Sequence, residues 1–143
     1  MGALALVGAY MMSPLPHAAA GALYVAAPPL RPPLIEADLA LSRGARERIV
    51  RLATTGSLPP GEYDGEFRLA AGDTGLSVRG TVEVIEHDCG DRVFFMTLTG
   101  YSPDPYSGFE YVPHGCEPEP DPLGSGHGTA RPLGNQWFWI EAS

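Results

Sequence analysis

The sequence contains no lysine; all nine of its basic residues are arginine. Schiff-base catalysis and a P-loop phosphate site are thereby excluded, because both need a primary amine. Charge is sparse at 18% of residues, and acids outnumber bases 17 to 9 for a net −8. That balance excludes nucleic acid as a partner of the chain as a whole. No apolar run reaches the roughly 18–20 residues that a membrane-spanning helix needs, so an integral multi-span protein is excluded too. No Gly-x-Ser-x-Gly elbow and no EF-hand spacing occur, which removes the α/β-hydrolases and a dedicated calcium loop. Cysteine is limited to two residues.

Glycine and proline, by contrast, are abundant, with 18 and 15 residues in a chain of 143. Both disfavour helix interiors, so strands and short turns are expected to dominate. The length fits a single domain of roughly 100–200 residues. Charge is unevenly distributed. Residues 1–80 hold seven acids and seven arginines, whereas residues 81–143 hold ten acids and two arginines. An acidic surface on the second half suits a protein or small cationic partner, or solubility alone.

Residues 1–20 read in two ways. Ala3–Met12 is an uninterrupted small and apolar run of signal-peptide length, and Ser13-Pro14-Leu15-Pro16 then breaks any helix. Ala18-Ala19-Ala20 before Gly21 fits a peptidase site, although the first basic residue is Arg31 and a positive leader is missing. The first expectation is export to a secreted or periplasmic location. The alternative is an uncleaved apolar arm that packs on neighbours in a larger assembly, such as a virion or envelope complex. Residues 21–34 read as a stiff lead-in, because Pro28-Pro29 and Pro32-Pro33 enforce extended backbone.

Residues 35–143 form the expected single β-rich domain. Leu34–Leu41 is ambiguous between strand and helix. Ser42 is a candidate cap, and Ala45, Ile49, Leu52 and Ala53 share one helical face, with Gly56 placed to end it. Arg43, Arg46, Arg48 and Arg51 fall on the other faces, where solvation or an intramolecular acid is the simplest role. Glu62–Leu69 and Leu76–Val84 then alternate, and Arg92–Thr99 is rich in aromatic and β-branched residues, with turns at Gly72–Gly75 and Cys89–Asp91, so the three read as strands of a meander. Residues 101–134 carry seven prolines and six glycines and read as a long acidic loop. Asn135–Glu141 is apolar enough to be a strand, with Trp137 and Trp139 on one face and Phe138 and Ile140 on the other. The expected fold is mainly β: a small antiparallel meander barrel or sandwich with one short helix before it.

Each cysteine follows a histidine by two residues, as His87-Asp88-Cys89 and His114-Gly115-Cys116. On extended backbone, positions i and i+2 share a face, so the two pairs could supply a Cys₂His₂ zinc set. A Cys89–Cys116 disulfide is the leading reading, since an exported even pair oxidises; free thiols are a third. The disulfide reading needs no cofactor. A Cys89–His114 nucleophile pair has no supporting local signature. Glu117, Glu119 and Asp121 alternate with proline, a spacing that offers no fixed carboxylate separation for catalysis. Tyr101, Tyr106, Phe109 and Tyr111 form either a partner-binding surface or a lid on the sheet. Taken together, these features favour a non-catalytic exported or periplasmic binding or structural module. An accessory subunit of an assembly and a small zinc protein are the alternatives.

Overall fold

The computed structural model describes residues 31–99, 106–124 and 126–142, so residues 1–30 and Tyr101 lie outside it. Among the described residues one α-helix, α1 (Arg31–Thr54), precedes six strands: β1 (Glu66–Arg68), β2 (Thr81–Ile85), β3 (Arg92–Thr99), β4 (Tyr106–Tyr111), β5 (Gly128–Gly134) and β6 (Trp137–Ala142). The strands form one antiparallel sheet in the order β1-β2-β3-β4-β6-β5. The fold is therefore mainly β, with a meander through β4, as the alternation and short turns require. The sheet stays open, with β1 and β5 at its edges, so the barrel form is not realised.

The helix is longer than expected, at 24 residues. Pro32 and Pro33 begin it rather than delay it. The first helical amides have no intrahelical acceptor, so a proline there forfeits nothing. The lead-in reading thus fails for residues 31–34. The end is as expected: Gly56 is left-handed at φ 71°, its amide donates to the Ala53 carbonyl, and the Ser57 amide reaches back to Leu52 at 2.8 Å. These are the two bonds of a Schellman motif, which needs a residue free of the Cβ clash.

α1 lies on one face of the sheet. Leu34, Ile35, Leu39, Ile49, Val50 and Ala53 pack with Val82, Val93, Phe95, Phe109, Trp137 and Trp139. Arg46 belongs to this buried face and not to the outer ones: it has no exposed surface. Its guanidinium sits 3.2 Å from the Asp38 carboxylate, donates to Ser42 Oγ and to the Leu76 carbonyl, and stacks 4.5 Å from the Phe109 ring centroid. Asp38, Ser42 and Arg46 are spaced by four, so one helical stripe carries the whole network. A charge survives inside because it is paired, hydrogen-bonded and over an aromatic face.

The Leu76–Val84 alternation is only half strand. Ala71–Leu76 is a 3-10 helix, a turn follows, and β2 starts at Thr81. Gly80 at φ 67° makes that turn, while Val78 donates its amide to the Met96 carbonyl. Glu62–Leu69 contracts likewise to three paired residues, leaving Tyr63 exposed. The region read as a long loop holds two strands, β4 and β5. Two of its glycines mark close approaches: a Cβ on Gly108 would collide with the Phe95 carbonyl at the bulge between Met96 and Leu98, and one on Gly128 with the Pro120 carbonyl. β5 and β6 are joined by Asn135 and Gln136, both at positive φ, as a type I′ hairpin turn demands. Gln136 is held there by two bonds to Val112, one in each direction.

Candidate functional site

The opposite face of the sheet presents Phe94, Met96, Tyr106, Ile140 and Ala142, all buried. Residues 112–124, here called the strap, leave the end of β4 and cross this face to reach β5. They must cross because β6 occupies the place between those two strands. Among the described strap residues only Val112 is buried; the others are half-buried or exposed. The strap's own side chains therefore bury little apolar surface, and polar contacts fasten it over the cluster.

Three such contacts run along it. At the start, Arg92 on β3 donates through Nε (2.8 Å) and through Nη2 to the Glu117 carbonyl, and through Nη1 to the Gly90 carbonyl. In the middle, the Glu119 amide donates to both carboxylate oxygens of Glu110, at 3.1 and 3.2 Å. At the far end, the Tyr106 hydroxyl donates to Asp121 Oδ1 at 2.6 Å and accepts from the Leu123 amide, while Gly126 donates to Asp121 Oδ2. Glu110 has no exposed surface, and its carboxyl is pushed up to about 7. Burial is the largest cause; the Glu119 amide and Arg92, 3.9 Å away, oppose it, and the Glu119 carboxylate adds to it. A buried carboxylate costs more than one amide and one distant cation return.

The two cysteines meet at the start of the strap. Cys89 in the β2–β3 turn and Cys116 are bonded, with Cα atoms 5.9 Å apart. A bridge over 27 residues contributes about 2–4 kcal/mol, chiefly by restricting the unfolded chain. The Cys₂His₂ set is not assembled, because the sulfurs bond each other. His87 and His114 are exposed, and His87 Nδ1 accepts the Cys89 amide. Among the described residues no group of three or more His, Cys, Asp or Glu side chains converges to hold a metal.

Of the aromatic residues singled out as a partner surface, the three that the structure describes turn inward. Tyr106 and Phe109 are buried, and Tyr111 is half-buried with its ring 5.3 Å from Trp137. Alternation along β4 sends Tyr106 to the strap side and Phe109 and Tyr111 to the helix side, so they make no common surface. Sequence reasoning missed Arg92 and Glu110. The signal was available: both are charges inside otherwise apolar or aromatic strands.

A second acidic pair lies near the β1 edge, where Glu66 and Glu83 sit directly opposite each other. The Glu83 carboxyl is raised, first by burial and then by Glu66, against the lowering effect of Arg79. Comparisons with family models, curated proteins and solved structures find no match to this chain.

Proposed function

We propose that the chain is a non-catalytic exported or periplasmic module that binds a protein or small cationic partner through its acidic surface. The observation that carries the reading is the Cys89–Cys116 bridge on an exposed turn, since such bonds persist in oxidising compartments and are rare in the cytosol. The acids of the second half supply the cationic preference: Glu86, Asp88 and Glu117 are exposed beside the bridge. The most polar interior groups, Arg46, Arg92 and Glu110, are engaged in holding layers together. The Trp137–Ala142 segment is used within its own sheet, which removes one support for an assembly subunit.

The test is fractionation of natively expressed protein followed by alkylation before and after reduction. Recovery outside the cytosol, with no adduct until reduction and two afterwards, is expected. Cytosolic protein that alkylates directly overturns the reading. An arginine-rich peptide, titrated by calorimetry, is expected to bind at low salt and to weaken as salt screens the acids.

A further inference from the structure

We propose that the Cys89–Cys116 bridge is a redox clasp: its reduction frees the strap from the sheet while the helix-side core stays folded. The inference rests on the bond itself and on what the strap lacks, and stands whether or not the protein is exported.

Position is the first argument. Cys89 is exposed at a turn tip and Cys116 is half-buried at the strap's first bend, so the bond joins two surface segments rather than two core elements. The turn and the strap also abut, since a Cβ on Gly90 would lie 2.9 Å from Pro113. The second argument is the seating described above. Beyond Val112, the strap is held by backbone and side-chain hydrogen bonds, and such segments open locally well before the global fold does. The third is separation. α1 packs through Leu34, Ile35, Ile49 and the two tryptophans on the opposite face, and none of those contacts passes through the bridge.

The chemistry requires a dithiol, either a small molecule or a Cys-x-x-Cys thiol pair of a protein reductant. One of its thiolates attacks a bridge sulfur, forming a mixed disulfide and releasing the other cysteine as a thiolate that takes up a proton. The second thiol of the reductant then displaces the remaining cysteine, so that two electrons and two protons reach the clasp and the reductant ends as a disulfide. Arg92 makes the step reversible. Its guanidinium bonds the Gly90 and Glu117 carbonyls, one residue beyond each cysteine, in the seated strap, and so brings the two thiols back within reach of each other whenever the strap reseats.

Hydrogen exchange with mass readout on the full chain tests this, with and without millimolar dithiothreitol. The expected result is exchange faster by about tenfold or more over residues 113–124 after reduction, with α1 and β2 unchanged and an apolar dye newly bound. Cys116→Ser is expected to show the same pattern without reductant; if that variant fails to fold, the reduced natural chain carries the test. A bridge that resists dithiothreitol in the folded protein, a strap whose exchange does not change, or an α1 that accelerates together with the strap each overturns the proposal.

Discussion

One sheet carries two covers built on different physics. On one face, a 24-residue helix buries an apolar stripe against Phe95, Phe109 and the tryptophans, and its Asp38–Arg46 pair is sealed inside. On the other, a strap with one buried side chain is seated by a disulfide, a guanidinium, a carboxyl and a phenol. Apolar burial responds weakly to pH and redox state, whereas each strap contact is a titratable, reducible or directional bond. The two faces should therefore fail under different conditions, and each can be attacked separately.

The strongest attack is on the helix side. Arg46→Ala leaves the Asp38 carboxylate buried without its cation, and a loss of about 3–5 kcal/mol in urea unfolding is expected. The double variant Asp38→Leu/Arg46→Met should recover most of it, because a buried ion pair and well-packed apolar groups are of similar worth. Failure of that rescue would mean that Arg46 contributes through the Phe109 stack and the Leu76 carbonyl.

Next in size is the pH response of the strap side. The Glu110 carboxyl lies above its ordinary 4.5, at about 7, so between those values the folded chain binds a proton that the unfolded chain has lost. The contribution of this carboxyl to stability then falls as pH rises through the window, by at most about 3 kcal/mol. Glu110→Gln keeps an acceptor for the Glu119 amide but cannot ionise. Its unfolding free energy should fall less across the window than that of the natural chain, since the raised Glu83 carboxyl remains, and should exceed that of the natural chain at pH 8. A natural chain whose profile matches that of the variant would show that the amide and Arg92 already offset the burial.

The smallest effect sharpens the contrast most. Tyr106→Phe removes the Asp121 and Leu123 bonds and leaves the ring against Phe94. A cost of about 1–2 kcal/mol is expected, with faster exchange confined to the strap. Acceleration in α1 would deny that the two faces are separable.

Much of the helix side was legible in sequence. Gly56 closed the helix, Arg92–Thr99 was read with its observed limits, and the two faces of Trp137–Ile140 were read correctly. Arg46 was not legible, because a charge at a helical position ordinarily means solvent, and only the phase with Asp38 and Ser42 betrays the buried stripe. The strap side hid for the opposite reason. Gly108 and Gly128 lie in strands, yet they mimic a loop, since what requires them is a neighbouring carbonyl and not a turn. Leu76–Val84 misled because period two continued across a 3-10 helix that the pattern cannot register.

The placement of β6 has a consequence for how the molecule comes into being. Trp137–Ala142, the most C-terminal of the described elements, is hydrogen-bonded on both sides, to β4 and to β5. Until those six residues leave the ribosome, β4 has an empty flank and Phe109 and Tyr111 have no indole to rest on. The sheet can therefore be completed only after synthesis has passed them, and until then β4 presents an unpaired flank that chaperones can cover.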